Sequence, residues 1–226
     1  MSEHRKRFLQ LAIDVQALGF GEFTLKSGRV SPYFFNAGRF DSGARLAQLA
    51  HCYADAVDAA GLSFDLLFGP AYKGIPLATA LACEYAARGH DLPLSFNRKE
   101  AKDHGEGGHL IGAPLQGRRV LIVDDVITAG TAVREVLPLI ENAGGIPAGI
   151  VIALDRQEVT SNDDRHSAAQ FVTDATGIPV VAVATLTDLL AFANENTKLS
   201  AYRDALLTYR ARYGCDLSVS DSECLS

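Results

Sequence analysis

The sequence predicts an α/β fold in which a mostly parallel central sheet is flanked by helices. Short apolar stretches rich in β-branched residues, such as Val120–Val123, alternate along the chain with longer stretches whose apolar residues recur at helical spacing. Loops of small, polar or charged residues follow several of these strands before the next helix begins. The chain has 226 residues, enough for one substantial core and a small accessory element. We therefore expect a single domain over residues 1–213.

The predicted elements begin with a helix whose apolar face includes Phe8 and Ile13 and which ends at Gly19 and Gly21. Two short strands over 22–25 and 33–36, joined by a turn, complete a small N-terminal hood element of about residues 1–40. The other predicted elements are helix 41–60, strand 65–69, helix 75–87, strand 92–96, strand 119–123, helix 131–143, strand 148–154, a helix within 165–176, strand 180–184, and helices 186–194 and 199–213. Residues 214–226 are polar and terminal and are expected to form a disordered tail.

Composition and charge exclude several classes of protein. Apolar residues make up 48% of the chain and charged residues 21%, as in ordinary soluble enzymes, and the net charge of -6 argues against a general nucleic-acid-binding protein. The charged N-terminus does not resemble a signal peptide, and no stretch has the length of a membrane span. The cysteines lack the spacing of a zinc site or a C-x-x-C motif. We expect a cytoplasmic protein with reduced thiols, and neither nucleic acid nor membrane as a partner.

The most informative stretch is Val120–Ala132, in which an apolar strand ends in two adjacent carboxylates and opens onto a helix through small and hydroxyl residues. Asp124 and Asp125 can accept hydrogen bonds from the hydroxyls of a ribose, while the backbone N–H groups from Thr128 to Thr131 can surround a phosphate. A single Asp here would be interpreted as a helix N-cap. Two in tandem repel each other and need compensation, which favours a sugar-phosphate site.

A second loop, Gly69–Gly74, also follows a predicted buried strand and precedes a helix. Its terminal glycines free the backbone, and Lys73 places a positive charge beside a helix N-terminus, which suits a diphosphate. Taken alone, the loop is equally well explained by a solvated lysine. The neighbouring sugar-phosphate loop favours diphosphate binding.

The segment 97–108 is charged and rich in glycine. Most such segments are solvated surface. Here four potential cations fall within seven positions, and the glycines after them favour a lid that closes over a polyanion and neutralises the charge of a departing diphosphate. These cations are Arg98, Lys99, Lys102 and His104.

A third group of residues suits a flat, anionic base. The predicted hairpin 23–35 carries Phe34 and Phe35, and Arg156 follows a distant strand. Considered separately, the two phenylalanines would be core residues and the arginine a surface residue. Together they can stack on a base and pair with its carboxylate.

Five segments, residues 21–28, 31–36, 67–76, 96–108 and 123–132, are longer and more specific than a lone glycine-rich motif. Together they resemble the bacterial orotate phosphoribosyltransferases, a family of type I phosphoribosyltransferases, and the similarity runs from the first helix to about Tyr213. The resemblance implies transfer of the phosphoribosyl group of phosphoribosyl diphosphate (PRPP) to N1 of orotate. The products would be orotidine 5'-monophosphate (OMP) and diphosphate, in the de novo synthesis of UMP.

The resemblance also implies roles for individual residues. The implied catalytic residues are Lys73, Lys102, His104, Asp124 and Asp125. The implied PRPP site consists of Lys26, Tyr72, Lys73, Arg98, Lys99, Lys102, His104, Asp124, Asp125, Val126, Ile127, Thr128, Ala129, Gly130, Thr131 and Ala132. The implied orotate site consists of Lys26, Phe34, Phe35, Thr128 and Arg156.

Magnesium is the cofactor that the resemblance implies. PRPP would bring it to a place near Asp124 and Asp125, without a cage of direct protein ligands. The family also implies a homodimer in which the lid cations act on the partner subunit's site. No role follows for His109, and the tail cysteines Cys215 and Cys224 are expected to be incidental thiols.

Two alternatives remain open. A phosphoribosyltransferase for purine bases would share the phosphate sites, but it gives no reason for Arg156 and Lys26 to converge on a carboxylate. A non-catalytic regulator that senses PRPP would need only the loop after Asp124 and Asp125, and should lack both the lid and the base pocket.

Overall fold

The computed structural model describes residues 1–25, 27–102, 108–127, 131–159 and 166–215, apart from the side chains of residues 100–102, 108, 131 and 132. The strands in these ranges are β1 (Leu18–Thr24), β2 (Val30–Phe35), β3 (Leu66–Gly69), β4 (Leu94–Lys102), β5 (Gly108–Gly112), β6 (Arg119–Asp124), β7 (Ile146–Asp155) and β8 (Val180–Thr185). The α-helices are α1 (Glu3–Asp14), α2 (Gly43–Ala59), α3 (Gly74–Ala87), α4 (Thr131–Asn142), α5 (Ala168–Thr176), α6 (Leu186–Glu195) and α7 (Arg203–Tyr213). Short 3-10 turns lie at Ala37–Arg39 and Ser200–Tyr202.

The central sheet has the strand order β5-β4-β3-β6-β7-β8. Neighbouring strands from β4 to β8 are parallel, and β5 pairs with β4 in the antiparallel sense. The predicted α/β fold with a mostly parallel sheet is confirmed. Because β3, β6 and β7 are parallel neighbours, their last residues Gly69, Asp124 and Asp155 lie at the same edge of the sheet, where α/β proteins bind ligands.

Helices cover both faces of the sheet, so successive residues of the central strands enter different cores. Leu67 and Leu121 pack into a core that includes residues of α1, α2, α3 and α6. Phe68 and Ile122 pack into a second core with α4 and α5. Burial on both faces explains why β3 and β6 are continuous apolar stretches in the sequence.

Strands β1 and β2 form a separate antiparallel pair, here called the N-terminal hairpin. Its residues Leu18, Tyr33 and Phe35 are buried in the first core. Helix α7, near the C-terminal end of the described residues, packs against β2 and helps to hold the hairpin in place.

The predicted end of the first helix is wrong. Helix α1 ends at Asp14, and the chain turns at Gln16, whose φ of 58° lies in the left-handed region. Gly19 and Gly21 lie inside β1. The chain therefore changes direction at Gln16 without a glycine. It must turn this early because β1 begins at Leu18, which is buried.

The predicted strand 92–96 is too short, since β4 continues to Lys102. Strand β5, which the sequence analysis did not predict, pairs with it at the sheet edge, where Asn97 lies opposite Leu110. Charged side chains can remain in water at such an edge while the backbone is hydrogen bonded. The start of the predicted lid is therefore part of a two-stranded hairpin, and residues 103–107 lie outside the described residues.

Just beyond α7 the chain pairs with the turn that follows β7. Gly214 forms a bridge with Glu158, and the N–H of Cys215 donates to the carbonyl of Gln157 at 2.8 Å. Residues 216–226, the rest of the predicted tail, lie outside the described residues. None of the helices described here combines the length and the apolar character needed to cross a membrane.

Candidate active site

The segments that follow β3 and β6 contact each other at the carboxyl edge of the sheet. Nζ of Lys73, in the 70–73 loop after β3, lies 2.6 Å from Oδ2 of Asp125, which follows β6. The N–H of Ala71 in the same loop donates to Oδ1 of Asn97 on β4 at 2.8 Å. Two of the predicted site segments, distant in sequence, are therefore neighbours in the fold.

The two aspartates, here called the carboxylate pair, are held through their backbone. The carbonyl of Asp124 accepts a hydrogen bond from the hydroxyl of Tyr53 at 2.8 Å, and the carbonyl of Asp125 accepts one from the N–H of Ala153 at 2.9 Å. The N–H of Asp125 donates to Oδ1 of Asp124 at 2.9 Å. These bonds keep the side chains together although their negative charges repel.

Burial and the neighbouring carboxylate of Asp125 raise the pKa of Asp124 to about 7, against the opposing effect of the backbone N–H of Asp125 and the Lys73 ammonium. Asp124 therefore keeps its proton at a pH where an exposed aspartate has lost it. A ligand that brings hydroxyl donors or a cation to this position would favour the ionised form.

Lys73 pairs with Asp125 and remains exposed to solvent. The side chain of Asp125 is 8% exposed, whereas that of Lys73 is 61% exposed. Because most of the lysine stays in water, its ammonium is accessible to a phosphate as well as to Asp125.

Both ends of the 70–73 loop require glycine. A Cβ atom on Gly69 would lie 2.5 Å from the carbonyl oxygen of Gly74, and one on Gly74 would lie 2.6 Å from the carbonyl oxygen of Val123. No side chain fits at such distances from the backbone. The loop is therefore pressed against the end of β6, which keeps Lys73 beside the carboxylate pair.

Cations also lie on the outer side of this loop. Tyr72 is 68% exposed, and Nζ of Lys99 lies 5.3 Å from the centroid of its ring, a cation–π arrangement. Arg98 is half-buried, and its Nη1 atom is buried with no hydrogen-bond partner among the residues described. This side of the site offers positive charge to an anion.

Arg156, after β7, lies beneath the N-terminal hairpin. Its side chain is 14% exposed, and its guanidinium carbon lies 4.5 Å from the centroid of the Tyr33 ring. Nη2 of Arg156 donates to Oγ of Ser31 at 3.2 Å. The structure thus brings the arginine and the hairpin together, as the sequence analysis anticipated.

Glu158, which the sequence analysis missed, is the main partner of Arg156. Its Oε1 atom accepts a hydrogen bond from Nε of Arg156 at 2.7 Å and lies 2.6 Å from Nη2. Its Oε2 atom lies 3.7 Å from Nη1 of Arg29, just before β2. The one available signal was its position two residues after Arg156, in the same turn after the strand.

Phe34 and Phe35 lie on opposite faces of β2. Phe34 is 42% exposed and packs beside Phe23, whereas Phe35 is 8% exposed and packs against Phe8 in the core. The idea that both rings stack on a base is therefore wrong for Phe35, because neighbouring residues of a strand point to opposite sides. Any contact from Phe35 to a ligand would come from its backbone.

The residues of the phosphate loop after the carboxylate pair are described only in part. The side chains of Val126 and Ile127 are half-buried and pack against the two cores, so a ligand would meet their backbone. Thr131 and Ala132 form the first turn of α4, and Lys102 is the last residue of β4. The side chains of these three residues are not described.

Five predicted site positions lie outside the described residues. They are Lys26, His104, Thr128, Ala129 and Gly130.

Comparison with known proteins agrees with this geometry. A family model described as a phosphoribosyl transferase domain matches residues 40–180. The orotate phosphoribosyltransferase of Xanthomonas campestris is 75% identical over 216 residues, covering 96% of this chain and 99% of that protein. That of Stenotrophomonas maltophilia is 71% identical, covering 95% of this chain and 98% of its own.

A solved structure is also similar over nearly the whole chain. The crystal structure of orotate phosphoribosyltransferase from Francisella tularensis superposes with a TM-score of 0.82 at 41% identity, covering 92% of this chain and 98% of that one. The family model, the two relatives and this structure agree. The chain therefore belongs to the phosphoribosyltransferase family and, within it, to the orotate phosphoribosyltransferases.

Proposed function

We propose that this protein transfers the phosphoribosyl group of PRPP to N1 of orotate, giving OMP and diphosphate in the de novo synthesis of UMP. The observation that carries the proposal is the placement of two charged sites on neighbouring strands. Asp124 is paired with Ile152 of β7, and Arg156 lies four residues beyond Ile152. At about 3.3 Å per residue this offset is on the order of 13 Å, which suits a ribose carrying a base.

The carboxylate pair would hold the ribose. Asp124 and Asp125 accept hydrogen bonds from its hydroxyls, and their charge favours the positive charge that develops on the ring as diphosphate leaves. N1 of orotate attacks C1 from the opposite face, so the new C–N bond forms as the C–O bond to diphosphate breaks, with inversion at C1. The proton on N1 is acidic and is lost to water as the C–N bond forms, so no general base of the protein is assigned.

The departing diphosphate would be neutralised by cations from the 70–73 loop and the lid. Lys73 supports this role by being exposed beside Asp125, and Lys99 by lying over the ring of Tyr72. The backbone of residues 126–132 would hold the 5'-phosphate at the start of α4. The lid cations are Arg98, Lys99, Lys102 and His104.

The residues present fit a magnesium ion carried by PRPP. The carboxylates of Asp124 and Asp125 would lie near this ion without forming a cage around it, and a cation at this position would lower the raised pKa of Asp124. Once bound, the metal adds positive charge against the diphosphate.

Arg156 would recognise orotate through its carboxylate. Arg29, Arg156 and Glu158 form a half-buried group in which two arginines share one carboxylate. One further carboxylate balances it, and orotate has one whereas adenine and hypoxanthine have none. Lys26, Thr128, the ring of Phe34 and the backbone of Phe35 complete the proposed orotate site.

The active site is proposed to be shared between the subunits of a cytoplasmic homodimer. Two observations support this assignment: the lid begins on β4, next to the edge strand β5, and Lys99 is exposed there. Each lid would cover the site of the partner subunit.

The direct test is consumption of orotate in the presence of PRPP and magnesium, with hypoxanthine and adenine as alternative bases. The proposal predicts turnover of orotate alone. Turnover of a purine would support the purine-base alternative. PRPP binding without turnover of any base would support the regulatory alternative.

A further inference from the structure

The turn that carries Arg156 is held rigidly by the residue after it. Gln157 is 4% exposed and has a φ of 51°, in the left-handed region. Its side-chain oxygen accepts hydrogen bonds from the N–H and the hydroxyl of Thr187, at 2.9 and 2.7 Å. Its own N–H donates to Oδ1 of Asp155 at 2.8 Å. Because these hydrogen bonds hold Gln157, they also fix the backbone of its two neighbours. Arg156 and Glu158 are therefore held next to each other.

Glu158 contacts one particular edge of the Arg156 guanidinium. Its Oε1 atom takes the edge formed by Nε and Nη2, at 2.7 and 2.6 Å. Tyr33 covers one face of the guanidinium plane, and the hydroxyl of Ser31 accepts a further bond from Nη2. Glu158 does not use the opposite edge, which carries Nη1. Glu158 and Ser31 take the two N–H groups of Nη2, so the donors left for a second carboxylate are the two N–H groups of Nη1.

Glu158 is also tied to the N-terminal hairpin. Arg29 lies 3.7 Å from Oε2 of Glu158 and donates to the carbonyl of Val159 at 3.0 Å. Its guanidinium carbon lies 4.9 Å from the centroid of the Tyr213 ring. The carboxylate therefore spans two arginines, one on the hairpin and one after β7.

From this arrangement we propose that Glu158 is a positioning residue for base recognition. It holds the Nε and Nη2 edge of Arg156 so that the edge with Nη1 faces the carboxylate of the base. The inference rests on the proposed function, since it takes Arg156 as the group that binds that carboxylate. Glu158 itself does not touch the ligand, and it does not compete with the ligand, because the two carboxylates use different edges of the guanidinium.

The test compares the binding of OMP with that of UMP, the same nucleotide without the carboxylate. The ratio of their dissociation constants measures carboxylate recognition in each variant. In Glu158→Ala we expect this ratio to fall about tenfold, the effect of losing a hydrogen bond to a charged group, while PRPP binding changes less than about twofold. Glu158→Asp is too short to reach and should behave like Glu158→Ala. Glu158→Gln keeps an acceptor oxygen and should retain most of the preference for OMP.

Two controls separate the possible failures. Glu195→Ala removes an exposed carboxylate that pairs with Lys6 far from the turn in sequence, and should leave every constant unchanged. If the unsubstituted protein does not prefer OMP over UMP, the proposed role of Arg156 fails. If it does, and Glu158→Ala and Glu158→Asp keep the full preference or bind OMP more tightly, the positioning role of Glu158 is overturned. An equal loss for OMP, UMP and PRPP would also overturn it, since that indicates general damage to the fold.

Discussion

The two halves of the candidate site are built on different principles. In the base half, Arg156 is 14% exposed and has its partners within the protein, with Glu158 on one edge and Tyr33 against one face. In the diphosphate half, Lys73 and Tyr72 are 61% and 68% exposed. The arginine of the base half is largely shielded by the protein, whereas the diphosphate half is open to solvent.

This difference indicates what each half does. A buried, oriented arginine recognises one ligand geometry strongly, because charges act strongly where water is excluded. Exposed cations bind weakly until a ligand and a lid remove the water around them. We therefore expect the base half to determine which base reacts. The diphosphate half should bind PRPP through Lys73 and stabilise the leaving group in the transition state through the lid.

The largest effect is expected at the lid. If the lid acts mainly in the transition state, Lys102→Ala should lower kcat by about 100-fold to 1000-fold while changing the KM for PRPP only a few-fold. Steady-state kinetics with PRPP as the varied substrate measures both quantities. An unchanged kcat with a raised KM would mean that Lys102 only binds PRPP, which would break the proposed contrast between the halves.

A mixed dimer tests whether the open half is completed by the partner subunit. Lys102→Ala and Asp125→Asn homodimers should each be nearly inactive. When the two variants are unfolded and refolded together, half of the dimers are mixed, and each of these has one intact site. Activity should therefore recover to about one quarter of that of the unsubstituted protein.

Chain exchange in this experiment is confirmed by mass. If exchange occurs and activity stays at the level of the separate variants, the lid serves its own subunit. The open half would then be complete within one chain.

The smallest effect concerns the free energy of unfolding. Since the pKa of Asp124 is raised to about 7, the folded chain keeps a proton that the unfolded chain loses near pH 4, so this group reduces stability as pH rises between these values. Asp124→Asn removes that cost. Above pH 7 it should stabilise the fold by about 1–3 kcal/mol, and the gain should vanish near pH 4, while transferase activity is lost.

Thermal unfolding at pH 8 and near pH 4, without magnesium or PRPP, measures this effect. Asp204→Asn, at a carboxylate side chain that is 97% exposed, is the control and should leave the free energy of unfolding nearly unchanged at both pH values. If Asp124→Asn raises the free energy of unfolding by the same amount at both pH values, the pKa of Asp124 is not raised in the free protein.

Features that depend on neighbours in the chain could be predicted from the sequence. The parallel sheet, the carboxylate pair and the 70–73 loop all follow from strand ends with glycine, charged or hydroxyl residues beside them. The different exposure of Phe34 and Phe35 was also predictable, because a strand with a buried Tyr33 must turn Phe34 outward and Phe35 inward.

Features that depend on contacts between distant segments could not be predicted. Glu158 matters because Arg29, more than a hundred residues away, lies beside it. Asn97 positions the 70–73 loop because its amide oxygen, on β4, accepts a hydrogen bond from the N–H of Ala71. Strand β5 was missed because its partner, β4, carries charges that suggest a loop when considered alone.

The contrast between the two halves is tested most directly by one crossed binding experiment, in which orotate and PRPP are titrated separately into Arg156→Ala and Lys73→Ala. Arg156→Ala should weaken orotate binding by about 2–5 kcal/mol and leave PRPP binding near normal. Lys73→Ala should weaken PRPP binding and leave orotate binding near normal. If each variant instead weakens the binding of both ligands equally, the two halves do not act separately and the proposed division of the site is wrong.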